Sequence, residues 1–415
     1  MLSESPLSIK KNIAWNTAGQ FIYLFSQWLL TFCVVQLLGV EAVGVFSLAI
    51  AIAGAFIGIS LYGVRSFQVS DVNDKYSSQV YRIARIITSV LALIICAVFV
   101  LFNDYSAYIT VCILVYMAFK ISESVSDVYQ GFFQKAMRMD YIGRSFMIKG
   151  IVILAAFVIT ILLTEDLLAG IVVLCITSCV VIVFYDMRKS KKFTLPKAKT
   201  NWLAPTKSLL LECLPLAIFV SIFNILTQIP RYFIEIQMGM EALGFYATIA
   251  MPVVIIQVSA SFIFAPLTTP FAQHLDKGDL TGFKRLLGKT VLFIAALSVV
   301  SALAFGLVGE WLLVLLFGAM IEPYVFLLMP LVACTIVVAV SWLLSTVLIV
   351  LRKQKMILLA SVFSLVIVLL GSIPLINLFE QNGASFVLII ALAFYCLFCT
   401  VILMKSIKDR QKLIP

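Results

Sequence analysis

Apolar stretches of about 20 residues recur along the whole chain, and this feature limits the fold more than any other. Each stretch can cross a bilayer as an α-helix, which satisfies its own backbone hydrogen bonds in lipid. The short alternating segments of a transmembrane β-barrel do not occur. Because 63% of the 415 residues are hydrophobic and 12% are charged, a soluble globular domain is excluded. We predict 12 spans, at residues 12–38, 41–63, 80–101, 107–131, 145–164, 167–186, 208–237, 242–270, 285–308, 323–350, 356–378 and 384–404.

One further apolar stretch, from Gly309 to Glu322, is too short for a span of its own. It is expected to form either a re-entrant segment or a buried loop.

Basic residues are concentrated on one side of the predicted membrane. With the N-terminus in the cytoplasm, 28 of the 30 Lys and Arg residues fall at cytoplasmic helix ends, among them Arg65, Arg85 and Lys149. The outer loops carry acidic residues instead. This bias follows the positive-inside rule and predicts that both termini are cytoplasmic. It also accounts for the net charge of +10 through contact with anionic lipid, so no nucleic-acid partner is expected.

An internal repeat divides the chain into halves. Residues 38–50 (LGVEAVGVFSLAI) resemble residues 238–250 (MGMEALGFYATIA), and both copies place a glycine turn between two apolar helices. The repeat predicts two six-helix lobes related by a pseudo-twofold axis along the membrane normal. We assign the lobes to residues 1–186 and 208–415, joined by a basic cytoplasmic linker at 187–207.

The fourth predicted helix carries polar residues at steps of three and four, which places them on one helix face: Lys120, Glu123, Asp127, Gln130 and Gln134. Lys120 lies about 20 Å from the outer end of this helix, near the bilayer centre. An unpaired charge at that depth costs at least about 2.5–3.5 kcal/mol. Two interpretations stay open: a buried ion pair between Lys120 and Glu123, or a wet cavity wall that contacts an anionic ligand.

The first and seventh predicted helices carry similar polar faces. The residues concerned are Asn16, Gln20 and Gln27 on the first helix, and Asn224, Gln228, Arg231 and Glu235 on the seventh. Amides in such positions either hydrogen-bond to neighbouring helices or line a hydrophilic path. Arg231 either reaches the head groups, pairs with Glu235, or binds a ligand.

Two cations on such faces suit a phosphate-bearing substrate, with Arg231 as a bidentate donor and Lys120 as a point charge. The acids Glu123, Asp127 and Glu235 are candidates for binding a coupling proton or sodium ion. The chain has no Walker A motif, no nucleophile motif and no metal-ligand spacing among its nine cysteines. We therefore expect a protein that is not an enzyme, without catalytic residues, a bound metal or another cofactor.

Several segments resemble the Wzx-type polysaccharide flippases of the multidrug/oligosaccharidyl-lipid/polysaccharide exporter superfamily. They are KNIAWNTAGQF, LGVEAVGVFSLA, QGFFQKAMRMDYIGRS and IPRYFIEIQMGMEALGFYA. The resemblance implies twelve helices in two lobes that open alternately to either side of the bacterial inner membrane. It implies O-antigen-type chemistry, in which a polyprenyl-diphosphate-linked oligosaccharide crosses from the inner to the outer leaflet. Lys120 and Arg231 would then meet the diphosphate, and glycan polymerase and assembly proteins would be partners.

Two other functions were weighed against this one. An ion-coupled exporter of organic cations on the same fold would depend on cavity acids more than on Lys120. A membrane glycan polymerase or glycosyltransferase is less favoured, because the outer loops are short and carry no basic residue.

Overall fold

The computed structural model describes residues 5–71, 74–193, 202–264 and 268–411, and within these ranges it contains helices and no strand. The predicted all-helical architecture is confirmed. The predicted linker 187–207 falls partly on residues 194–201, and the predicted span 242–270 includes residues 265–267. Both of these segments lie outside the described ranges.

The first part of the chain forms seven helices. They are α1 (Ile9–Leu38), α2 (Val40–Leu61), α3 (Val64–Ser70), α4 (Ser78–Leu101), α5 (Ala107–Lys135), α6 (Met139–Thr164) and α7 (Leu167–Val181). Helix α7 continues through a π-helical segment, Ile182–Met187, into a last turn, Arg188–Ser190.

The second part begins with the helical stretch Leu203–Phe264, which Gly239 interrupts, so that it consists of α8 (203–238) and α9 (240–264). The remaining elements are α10 (Thr268–Asp276), α11 (Leu280–Phe317), a 3₁₀ segment (Ala319–Leu327), α12 (Leu328–Val350), α13 (Gln354–Phe379) and α14 (Gln381–Gln411). Eleven helical stretches in the described ranges are long and apolar enough to span a membrane, and Gly239 divides one of them into two. The predicted number of about twelve spans is therefore confirmed.

Short polar side chains define where several of these helices begin. Ser8, Ser77, Ser106, Asp166 and Asp279 precede α1, α4, α5, α7 and α11 and accept a hydrogen bond from a first-turn backbone N–H. Such caps satisfy backbone donors that the helix itself leaves unpaired.

The two glycines of the internal repeat adopt the same backbone conformation. Gly39 has φ 86° and ψ 178°, and Gly239 has φ 87° and ψ 178°. Only glycine occupies this region without strain. Gly318 has nearly the same conformation (φ 81°, ψ 176°) and separates α11 from the 3₁₀ segment. The turn predicted from two sequence copies thus occurs three times among the described residues.

The stretch from Gly309 to Glu322 is neither a re-entrant segment nor a loop. Its first nine residues extend α11 to Phe317, and the rest begins the 3₁₀ segment after Gly318. The sequence expectation was wrong here because α11, at 38 residues, is much longer than a bilayer requires.

The chain forms two compact units, residues 1–228 and 229–415. The first unit includes the first 26 residues of α8. A Cβ added at Gly58 of α2 would lie 2.7 Å from Ser221 Cα of α8, so glycine permits close packing of these two helices. The predicted lobe boundaries, 1–186 and 208–415, stay a prediction.

Candidate functional site

The polar face predicted on α5 points toward other charged and polar groups of the first unit. Lys120 donates to the Glu123 carboxylate, which confirms the predicted ion pair. The two side chains are 28% and 19% exposed, so neither is sealed inside the bundle. Their mutual attraction offsets part of the free-energy cost of placing charge near the bilayer centre.

Asp127, one turn further along α5, is held by two guanidinium groups. Arg65 Nη1 lies 2.9 Å from Asp127 Oδ1, and Arg85 Nη2 lies 2.8 Å from Asp127 Oδ2. Arg65 also donates to the side-chain oxygens of Gln130 and Gln134, each at 3.0 Å. Both carboxylate oxygens of Asp127 are therefore engaged within the protein.

Arg85, which the sequence places near the cytoplasmic end of its helix, has a buried side chain that the charge bias alone did not predict. Its side chain is 1% exposed, and Nη1 donates to the Ser60 carbonyl (2.6 Å) and the Ser124 hydroxyl (3.1 Å). A buried charge is tolerated only when it is paired and hydrogen-bonded. Thr88 lies one turn after Arg85 and donates to the same Ser60 carbonyl, and the neighbouring Ser89 is hydrogen-bonded to the Ser60 hydroxyl. These two hydroxyl residues were the sequence signal for this polar face.

Lys149 forms a second buried ion pair that sequence reasoning missed. Its ammonium lies 3.0 Å from Asp186 Oδ2, and the side chains are 2% and 0% exposed. The Ser126 hydroxyl donates to the same oxygen (2.5 Å) and accepts from Lys149. Asp186 belongs to the π-helical segment, a wider turn often found at functional positions. The sequence signal for this pair was Asp186 itself, because a carboxylate in the last turn of an apolar span needs a partner.

A cavity of about 330 Å³ brings several of these groups together. Arg65, Lys120 and Lys149 supply three cations to its wall, and Glu123 and Asp127 supply two carboxylates. The remaining lining residues are Gln20, Tyr23, Leu24, Ile57, Leu61, Ser124, Gln130 and Phe146. The cavity carries one more formal positive charge than negative charge. Of the polar residues predicted from sequence, it contains Gln20, Lys120, Glu123, Asp127 and Gln130.

The other predicted amides of the first unit lie outside this cavity wall. Asn16 accepts from the Gln20 amide at 3.3 Å, and Asn224 donates to the Val220 carbonyl at 2.9 Å. Gln27 Nε2 and Gln228 Oε1 are buried and have no hydrogen-bond partner in the described part of the chain. These two unsatisfied groups are unusual, because buried polar atoms in folded proteins are nearly always paired.

Arg231 and Glu235 belong to the second unit. Both side chains are half-buried. Arg231 lies within electrostatic range of Tyr246 and Cys334 and makes no ion pair within the ranges that the structure covers. The three roles considered for Arg231, which are contact with head groups, pairing with Glu235 and ligand binding, stay predictions.

Outside the spans, the loop between α3 and α4 is tied to the start of α8. Lys75 Nζ lies 2.6 Å from Glu212 Oε1, and the Tyr76 hydroxyl donates to the same oxygen at 2.8 Å. The hydrogen bonds to Glu212 and to Tyr76 raise the pKa of the exposed Lys75 ammonium. Glu212 of α8 is thus a partner of this loop.

The family model described as "Polysaccharide biosynthesis protein" matches residues 9–271. The chain is 30% identical over 315 residues to the capsular polysaccharide biosynthesis protein CapF of Staphylococcus aureus, and the match covers 74% of this chain and 77% of CapF.

Solved structures show the same fold at low sequence identity. A MOP superfamily transporter from Pyrococcus furiosus has a TM-score of 0.70 and 15% identity, covering 98% of this chain and 97% of that one. The MATE transporter VcmN of Vibrio cholerae has a TM-score of 0.68 and 13% identity, covering 97% and 96%. At these identities the likeness establishes the fold alone, and it confirms the predicted two-lobe helical fold.

Proposed function

The chain belongs to the polysaccharide biosynthesis protein family, as its sequence motifs predicted, and we propose that it is a flippase for a lipid-linked oligosaccharide. The substrate would be an oligosaccharide repeat unit on a polyprenyl diphosphate carrier. It would cross from the inner to the outer leaflet of the bacterial cytoplasmic membrane by alternating access. No covalent chemistry is required, so the proposed protein is a transporter and not an enzyme.

The observation that carries this proposal is the cation-rich cavity of the first unit. Arg65, Lys120 and Lys149 lie in its wall, within a membrane-spanning bundle. Charge-assisted hydrogen bonds from Lys and Arg are the strongest protein contacts to phosphate oxygens. A diphosphate would add the negative charge that this wall lacks.

Lys120 is the best candidate for direct contact with the diphosphate. Its one ionic partner in the described chain is Glu123, whereas Arg65 is held by Asp127 and two glutamines. A phosphate could therefore replace Glu123 at Lys120, and the released Glu123 carboxylate would remain at the cavity wall. Arg231, which has no such partner in the described second unit, would be a second contact at another stage of transport.

The amide side chains would form hydrogen bonds with the sugar moiety. Gln20 lines the cavity, and Gln27 and Gln228 have buried amide atoms without partners. With Asn16 and Asn224 they offer the donors and acceptors that a glycan needs. The polyprenyl tail would remain in membrane lipid.

Transport against a gradient needs an energy source, and we propose coupling to H⁺ or Na⁺. Glu123, Asp127 and Glu235 are the candidate carboxylates. Glu123 is favoured, because release of Lys120 to a phosphate would free its carboxylate for a cation. Asp127 is less suited, because two guanidinium groups occupy its oxygens.

The deciding experiment is mass spectrometry of polyprenyl-linked lipids from cells that lack this protein. We expect accumulation of a complete carrier-linked oligosaccharide and loss of surface glycan, because polymerase and assembly partners act after translocation. Complementation with a Lys120→Ala, Arg231→Ala double variant should fail, whereas the exposed-loop control Lys277→Ala should succeed. Unchanged carrier lipids would overturn the proposal and favour the organic-cation exporter. Full complementation by the double variant would refute the site assignment only.

A further inference from the structure

A second cavity, of about 440 Å³, lies in the second unit where α12 ends, α13 begins and the last turns of α14 pass. It is at the cytoplasmic side, according to the charge bias of the loops. Its lining consists of Arg352, Lys353, Gln354, Lys355, Met356, Ile402, Lys405, Ser406 and Asp409. None of these residues belongs to the candidate transport site.

The charges of this cavity are unbalanced. Arg352, Lys353, Lys355 and Lys405 face one carboxylate, that of Asp409. None of the five makes an ion pair within 4 Å in the part of the chain that the structure describes. In the first unit, by contrast, Arg85, Lys120 and Lys149 each have a carboxylate partner. Four converging cations repel one another, and a bound anion would remove that repulsion.

Neutral donors add to the positive potential. Ser406 is only 6% exposed and lines the cavity. Helix α13 starts at Gln354 without a side-chain cap, so its N-terminus lies at the same place. A helix N-terminus favours anions, and here it coincides with the four cations.

The surroundings of the cavity are apolar on the membrane side. Met356 and Ile402 form part of its lining. Leu359 on α13 and Val401 and Met404 on α14 are exposed at 41%, 52% and 54%, one or two turns from the basic residues. Side chains of this kind contact acyl chains in a bilayer, next to the level of the head groups.

We propose that this cavity binds the phosphate head group of an anionic phospholipid from the cytoplasmic leaflet. The four cations and the Ser406 hydroxyl contact the phosphate, and the acyl chains lie along the exposed faces of α13 and α14. The site is separate from the transport cavity, so this proposal does not depend on the proposed function. A soluble phosphate compound would satisfy the cations but would leave the apolar surroundings without a role.

The test is native mass spectrometry of the full-length, delipidated protein titrated with phosphatidylglycerol or phosphatidylcholine. We expect phosphatidylglycerol to bind about tenfold more tightly, and the preference to disappear in an Arg352→Gln, Lys355→Gln, Lys405→Gln variant. A Lys277→Gln, Lys284→Gln, Arg285→Gln variant removes equal charge from another basic segment and should keep the preference.

Three results would overturn the proposal. The first is equal binding of the two lipids by the wild-type protein. The second is an unchanged preference for phosphatidylglycerol in the Arg352→Gln, Lys355→Gln, Lys405→Gln variant. The third is an equal loss of this preference in both triple variants. A competition arm uses inorganic phosphate at millimolar concentration. No displacement of the lipid is expected, and displacement would assign the cavity to a soluble phosphate compound. All substituted side chains are exposed, so both variants should fold, and thermal unfolding in detergent verifies this.

Discussion

The Lys149 ammonium lies 3.0 Å from the Asp186 carboxylate, and both side chains are almost completely buried within the first unit. The pair joins α6 to the π-helical end of α7, and Ser126 of α5 completes it. One oxygen of Asp186 has no partner among the described residues. The pair therefore links three helices through one charged contact at the cavity of the first unit.

Removing one member of this pair should destabilise the protein strongly. Lys149→Met or Asp186→Leu leaves an uncompensated buried charge, and breaking such a pair costs about 3–5 kcal/mol. The double variant Lys149→Met, Asp186→Leu removes both charges and should recover most of the loss. Thermal unfolding in detergent measures all three. Single variants as stable as the wild type would contradict the assignment of the pair as a buried structural contact.

The Lys120–Glu123 pair should behave differently, because both side chains are partly exposed to the cavity. Lys120→Gln should leave the unfolding temperature nearly unchanged and reduce glycan translocation. Loss of one charge-assisted hydrogen bond of about 1.5–3 kcal/mol corresponds to roughly a 10- to 100-fold reduction in glycan translocation.

A charge swap separates a structural role of this pair from a role in binding. In the Lys120→Glu, Glu123→Lys variant the ion pair can reform, but the cation is displaced by one helical turn. We expect a stable protein with little transport. Wild-type transport by the swapped protein would mean that the pair serves only to stabilise the bundle.

Substitution of the turn glycines should destabilise the protein through backbone strain alone. A Cβ at Gly39 or Gly239 would have no neighbour within 4 Å. Alanine there must nevertheless adopt a positive φ with extended ψ, which costs about 1–3 kcal/mol. Gly306 in α11 also has open space around it but no positive φ. Gly306→Ala should therefore be neutral or stabilising, as measured by thermal unfolding. Equal effects at all three positions would rule out backbone strain as the cause.

Acid should weaken the loop between α3 and α4 through Asp71. Burial opposes ionisation of this carboxyl, but the backbone N–H groups of Tyr76 and Lys75 and the Tyr81 hydroxyl outweigh it and hold the pKa below its ordinary value. A carboxyl with a lowered folded-state pKa stabilises the fold above its unfolded pKa of about 3.9 and loses that contribution as the pH falls through the folded value.

Asp71→Asn should therefore lower the unfolding temperature at neutral pH, and the difference from wild type should shrink below about pH 4. Unfolding curves recorded from pH 7 downward provide the measurement. The exposed outer-loop carboxylate Asp104 serves as a control, and Asp104→Asn should have little effect. A difference at Asp71 that grows on acidification would have the wrong sign for this explanation.

The sequence predicted the local structure well, because local structure depends on neighbours along the chain. Apolar length placed about twelve spans, and the repeated glycine placed two turns whose dihedral angles proved to be the same. The spacing of Lys120 and Glu123 on one helix predicted their contact, which is confirmed. The motifs also identified the family correctly.

Contacts between helices could not be predicted from the sequence. Arg85 and Lys149 were placed with the cytoplasmic charges, because a basic residue near the end of an apolar span usually faces water or head groups. In the folded protein they meet Asp127 and Asp186, which are 42 and 37 residues away along the chain. No spacing rule connects such pairs.

The amino-acid sequence by itself thus determined the helices, their turns, the membrane class and the family. Apolar length, short-range periodicity and the backbone freedom of glycine act over a few residues. Only the tertiary structure decided which charges are buried together, and which cavity carries more cations than carboxylates. Helix rotation and packing set the direction of each side chain, and in a low-dielectric interior the free energy of a charge depends on the group it then meets.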